Sequence, residues 1–128
     1  MTTRVLVPSG VLGLGFDADA LKAGVLAKPD IIAIDGGSTD SGPFYLGTST
    51  SKYSRAACKS EWKTLLQARE QLNVPLVITS CGTCGSDAMV DWMLEITREI
   101  AAELALSLKV ATLYSDCLLY TSPSPRDS

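Results

Sequence analysis

The stretch Ile31-Ile-Ala-Ile-Asp-Gly-Gly-Ser-Thr-Asp-Ser-Gly-Pro-Phe-Tyr-Leu-Gly47 decides the fold. An apolar, β-branched run ends in a carboxylate and gives way to a loop of glycines, hydroxyls and a second carboxylate. Ile31 to Ile34 is apolar on both alternating faces, as a central parallel strand is. A buried strand that delivers its last residues into a Gly/Ser/Thr/Asp loop is how open α/β sheets build ligand sites.

Outward from this stretch the pattern alternates. Arg4 to Val7, closed by Pro8-Ser9-Gly10, reads as a first strand and turn. Gly10-Val-Leu-Gly-Leu-Gly15 spaces its glycines by three and two, which is not the dinucleotide fingerprint of two and three. It is either a strand-to-helix turn or a ligand-contacting loop. Asp17 caps a helix over Ala18 to Ala27, which Lys28-Pro29-Asp30 stops.

On the far side, Ser54 caps a helix running to Leu72, with Ala57 or Cys58, Trp62, Leu65, Leu66 and Leu72 inward. Asn73-Val74-Pro75 ends it, and Leu76 to Ile78 is the next strand. A second loop of small polar residues, Thr79-Ser-Cys-Gly-Thr-Cys-Gly-Ser-Asp87, leads into the longest helix, Ala88 to Leu106, with Asp87 as its cap. Met89, Trp92, Met93, Ile96, Ile100 and Leu104 repeat at three and four and form its apolar face. Glu95, Glu99 and Glu103 lie along a solvated side. Residues 108–113 read as a fourth strand.

The expected fold is α/β: a mostly parallel sheet with helices on both faces, in the order β-α-β-α-β-α-β. All three strand-to-helix loops then open on the carboxyl edge of the sheet. Strand order is not encoded in any local pattern.

Composition narrows the function. The chain has 128 residues, 46% apolar and 20% charged, and a net charge of −3 with no basic stripe. That balance argues against nucleic-acid binding. No apolar run nears the roughly 20 residues that span a bilayer, so no membrane partner and a cytoplasmic location are expected. There is no histidine, which removes the commonest general base and metal ligand. Cysteines 58, 81, 84 and 117 do not make a dense disulfide framework.

The end of the chain departs from this character. Cys117 to Asp127, Cys-Leu-Leu-Tyr-Thr-Ser-Pro-Ser-Pro-Arg-Asp, resembles the translation of a common transposase-type sequencing adapter. Residues 117–128 are therefore expected to be a non-native tail. Residues 3–116 are then the N-terminal part of a truncated domain whose natural sequence continues past Asp116.

Residues Asp35-Gly-Gly-Ser-Thr-Asp-Ser-Gly-Pro-Phe-Tyr-Leu-Gly47 resemble the Asp-x-Gly-Ser-Thr-Asp-x-Gly-Pro-Tyr-Tyr-Leu-Gly signature of acyclic terpene utilisation (AtuA-type) proteins. Pro8-Ser9-Gly10 with Leu12-Gly13, Ser54-Arg55-Ala56 and the loop at 80–87 fall where that family has like segments. The family is named for bacterial breakdown of citronellol- and geraniol-type terpenoids through CoA thioesters. The resemblance implies part of a metabolic enzyme of undefined reaction. It departs at Cys81-Gly-Thr-Cys84, where the family tends to have glycine and small residues.

The residues themselves offer chemistry with alternatives. Asp35 and Asp40, brought close, would form a catalytic acid/base pair or share a divalent cation. Otherwise they cap turns. Gly36 and Gly37 permit close backbone approach by a phosphate, carboxylate or CoA pyrophosphate, as do Gly10, Gly82 and Gly85 in the flanking loops. Ser38 and Thr39 are ligand donors or turn residues, and Tyr45 is a loop anchor or a proton donor. Cys81 and Cys84 are small-residue substitutions, a redox pair or part of a metal site. Cys58 is core. The leading expectation is a domain that binds or converts a small carboxylate or acyl-CoA-type metabolite. The rivals are a non-catalytic subunit or binding module anchored by Phe44-Tyr45-Leu46, and a thiol-disulfide oxidoreductase. A homo-oligomer or a partner subunit is compatible with each.

Overall fold

A computed structural model describes residues 1–37, 39–41 and 43–116. Ser38, Gly42, Cys117 and the rest of the expected non-native tail lie outside the described residues. The order is β1 (Val5–Leu6), α1 (Ala18–Leu26), β2 (Ile31–Asp35), a 3-10 turn (Thr39–Ser41), α2 (Pro43–Thr48), α3 (Arg55–Leu72), β3 (Leu76–Thr79) and α4 (Asp87–Leu104). The three strands form a parallel sheet in the order β1-β2-β3, with Val5 opposite Ile31 and Ile32 opposite Leu76.

Local chemistry explains most boundaries. The Asp17 carboxylate accepts the Asp19 and Ala20 N–H groups at 2.8 and 2.9 Å. Ser54 caps α3 through the Ala57 N–H, and Asn73 ends it in the left-handed conformation, donating to the Arg69 carbonyl. α4 begins one residue earlier than the sequence suggests: its cap is Ser86, whose side chain accepts the Met89 N–H, and Asp87 is the first helical residue. A hydroxyl and a carboxylate side by side are both good caps, and the backbone decides between them. The segment after Asp35, expected as loop throughout, contains α2. Pro43 suits a first helical position, but no residue of this short helix is buried.

Sequential strand order has a consequence for the layers. Two right-handed crossovers that step in the same direction put their helices on the same face. Leu6, Ile32, Ile34, Leu76 and Ile78 point to that face and join a core with Leu21, Val25, Trp62, Leu65, Met93, Ile96 and Ile100. An added Cβ at Gly24 of α1 would meet Leu6, so α1 lies on this side too. On the other face Val5, Val7 and Val77 remain exposed. The second helical layer expected from the sequence is not seen among the described residues.

The fourth strand is also absent there. Residues 108–113 form no strand, and residues 107–115 make no backbone hydrogen bond among the described residues. The end of this segment is tied down: Asp116 and Asp87 exchange backbone N–H and carboxylate at 3.1 Å each, and the Tyr114 hydroxyl donates to Asp91. Strand propensity at 108–113 did not suffice, because a strand needs a partner in register.

The row Glu95-Glu99-Glu103 is not simply solvated. Glu99 takes Arg55 and Lys59, and Glu103 takes Lys59 and Lys63, across the α3–α4 contact. The bond from Arg55 holds Glu99 below the usual carboxylate range, and the bond from Lys59 does the same for Glu103. Deeper in this contact the Trp62 indole N–H donates to Thr97 Oγ1 at 2.9 Å, and Thr97 donates to the Met93 carbonyl at 2.7 Å.

Candidate functional site

Three loops leave the carboxyl ends of β1, β2 and β3 and touch one another. The Leu12 N–H donates to the Asp35 carbonyl at 2.8 Å, joining the first loop to the end of β2. Gly36 donates to the Thr79 carbonyl at 2.5 Å, and Thr83 donates to the Gly36 carbonyl at 3.3 Å, joining the second loop to the third. The Lys52 N–H then donates to Thr83 Oγ1 at 2.9 Å, which draws in the segment before α3.

Thr83 is the hub. It is buried, and its φ of +75° is a left-handed conformation that a β-branched residue rarely holds. Ser80, Gly82 and Gly85 also have positive φ, so the third loop is a tight coil. Within it Cys84 donates to the Gly82 carbonyl and Gly85 to the Cys81 carbonyl. Gly82 packs on Met89, and a Cβ at Gly85 would lie 3.2 Å from Ser80 Cα. Conformation and packing therefore account for both glycines without a ligand.

The second loop is packed as closely. A Cβ at Gly36 would sit 2.6 Å from the Thr79 carbonyl oxygen, and one at Gly37 would run into the Thr83 backbone. Asp35 is half-buried, and its carboxylate accepts the Gly37 N–H at 3.1 Å, an Asx-type turn. Asp40 is exposed in the 3-10 turn and makes no hydrogen bond or ion pair among the described residues. Among the described residues no hydrogen bond links the two carboxylates. The backbone of Thr39 lies in the same turn, and Ser38 is outside the described residues. Tyr45 is half-buried and meets Phe44 edge to face at 5.3 Å. Gly10 is exposed, and nothing lies within 4 Å of a Cβ built on it.

Two side chains at this edge carry no signal in the sequence. Glu61 of α3 accepts the Gly13 and Gly15 N–H groups at 3.0 and 3.1 Å, so a helix carboxylate pins the first glycine loop. Lys52 extends its Nζ to 3.5 Å from Ser41 Oγ, over the second loop, and is in no ion pair among the described residues. Neither is spaced from the glycine loops in a way that local patterns read.

Three thiols lie among the described residues. Cys58, Cys81 and Cys84 are free, and Cys81 is buried upstream of the α4 cap rather than on its first turn. Burial pushes the Cys81 thiol up, the opposite of an activated thiolate. Burial pushes Cys58 up to about 11. Cys84 donates to Ser86 Oγ at 3.3 Å. Among the described residues no three Cys, Asp or Glu side chains cluster to hold a metal ion. No helix of the described residues is long and apolar enough to cross a membrane.

A cavity of about 880 Å³ lies elsewhere, along the outer edge of β3 between that strand and residues 108–113. It reaches the loop cluster only at Thr79, Ser80, Cys81 and Gly85, and its floor is apolar, with Trp62, Leu66 and Met93. It is a gap in the sheet layer rather than the place where the loops meet. Comparison with protein-family models, with curated proteins and with solved structures finds no match.

Proposed function

We propose that the loop cluster binds a small anionic metabolite, a carboxylate or an acyl-CoA-type thioester, within a cytoplasmic metabolic enzyme related to the acyclic terpene utilisation proteins. The observation that carries this reading is the hydrogen-bonded convergence of three strand-end loops around Asp35, Gly36, Thr83 and Lys52. Strand-end loops at one sheet edge are the usual binding place of open α/β folds. The Lys52 ammonium supplies the positive charge that an anion needs, and Asp35 and Asp40 are the groups available for proton transfer or a cation shared with the ligand. The likeness of residues 35–47 to the family signature supports the same position. The exposed Val5, Val7 and Val77 support the fuller architecture, in which a second helical layer covers that face.

The test is thermal shift and calorimetry of the full chain with acetyl-CoA, a branched acyl-CoA and short carboxylates. Asp35→Asn, Asp40→Asn and Lys52→Gln should each remove most of the ligand-induced shift while leaving the unliganded melting temperature within a few degrees. If all three variants respond like the parent, the site assignment is wrong.

A second reading has its own support. Phe44 and Leu46 on α2 are 65% and 58% exposed, an apolar pair at the same edge. Apolar anchors of this kind fit a non-catalytic subunit that docks on a partner protein. A stoichiometric partner lost on Phe44→Ser, with ligand binding absent throughout, would favour this reading. The raised Cys81 thiol weighs against the thiol-disulfide alternative.

A further inference from the structure

The gap beside β3 has backbone chemistry on both of its walls. Ile32 donates to the Pro75 carbonyl and Gly36 to the Thr79 carbonyl, so Pro75, Val77 and Thr79 turn their backbone groups toward β2. By the two-residue alternation of a strand, Leu76 and Ile78 turn theirs outward into the gap. On the opposite wall residues 107–115 form no backbone hydrogen bond among the described residues. Leu108 to Leu113 reads Leu-Lys-Val-Ala-Thr-Leu, a strand-forming composition, yet Val110 and Leu113 are 52% and 87% exposed. Among the described residues, an unpaired strand edge and an unpaired strand-forming segment thus face each other across an apolar floor.

We propose that a second copy of the chain fills this gap by reciprocal strand exchange. Residues 108–113 of each copy enter the gap of the other, between its β3 and its own residues 108–113. A two-fold axis normal to the sheet relates the two segments, so they pair antiparallel. The result is one continuous sheet in which β3, the two exchanged segments and the second β3 follow in that order. Each inserted segment finds a partner on both of its edges, and the outward groups of Leu76 and Ile78 are satisfied. Leu108, Val110 and Thr112 alternate onto the floor of Trp62, Leu66 and Met93, and Lys109 reaches the open face and water.

The geometry favours a second copy over an unrelated peptide. A two-fold interface needs donor and acceptor surfaces on the same molecule, and here they flank one cavity. The chain supplies both in equal number, and insertion into the two gaps closes the assembly at two copies.

Sedimentation or light scattering of the full chain across a dilution series tests this, together with Val110→Pro. Residue 110 is exposed and its N–H is unbonded among the described residues of the single chain, so proline there leaves the protomer fold intact but removes a ladder donor. The expected result is twice the chain mass for the parent and the single-chain mass for Val110→Pro, with the helical circular dichroism signal unchanged. Hydrogen exchange at Leu76 and Ile78 should speed up on the order of tenfold or more in the variant. The proposal is overturned by a parent that stays monomeric at high concentration, by a dimer that survives Val110→Pro, or by a monomer whose Leu76 and Ile78 amides remain protected. That last result would mean residues 108–113 close onto their own β3.

Discussion

Replacing Gly37 with alanine should break the link between the second and third loops. The new Cβ would lie 2.7 Å from Thr83 N and 2.9 Å from Thr83 Cβ, with Thr83 Cα nearer still. Ordinary contact begins near 3.4 Å, so the Thr83 backbone must retreat by more than about 0.7 Å. It cannot rotate aside as a flexible side chain would, because it is held in a left-handed conformation. Overpacking of this kind costs about 1–3 kcal/mol. Moving Thr83 also strains its bonds to the Gly36 carbonyl and the Lys52 N–H, each worth about 0.5–1.5 kcal/mol net. The lower chain entropy of alanine in the unfolded state returns about 0.4–1 kcal/mol. A net loss near 3 kcal/mol follows, measurable by urea unfolding as a lower midpoint at constant slope. Native-state hydrogen exchange should show the Lys52 and Thr83 amides losing protection first. Gly47→Ala is the control, since nothing lies within 4 Å of its added Cβ and the residue is in a helix. That variant should be neutral or up to about 1 kcal/mol more stable. A Gly37→Ala protein within about 0.5 kcal/mol of the parent, with Thr83 still protected, would refute the account of Thr83 as the hub of the loops.

Two further predictions concern buried groups. Thr97→Val keeps the shape of the side chain but strands the Trp62 indole N–H, and should cost about 1–3 kcal/mol in urea unfolding. Thr97→Ser should restore most of it, and equal losses in both variants would show that the hydrogen bond is not the cause. Thiol alkylation followed by mass spectrometry should modify Cys84 before Cys58 and Cys81 in the folded chain. Cys58, pushed up to about 11 from an ordinary value of 9.0, exposes roughly 100-fold less thiolate at neutral pH. Modification of Cys58 or Cys81 as fast as Cys84 under native conditions would contradict their burial.

The elements legible from the residues alone are those whose causes are local. Asp17, Ser54 and Asn73 mark helix ends through bonds to backbone a few residues away, and the apolar spacing of Trp62, Leu65 and Leu66, or of Met89, Met93 and Ile96, predicts which helix faces are buried. The alternation of strands and helices likewise predicts that three loops share one sheet edge. Features that depend on partners distant in the chain emerge only once the chain has folded. Stepping each crossover in the same direction gave the order β1-β2-β3 and left Val5, Val7 and Val77 uncovered. Glu61 meets Gly13 and Gly15, and Lys52 meets Thr83, across 48, 46 and 31 residues, beyond the reach of any helical or strand period. The same holds for residues 108–113. Their composition predicts a strand, but a strand exists only where another edge accepts its hydrogen bonds, and in the single chain a gap of about 880 Å³ stands between them and β3.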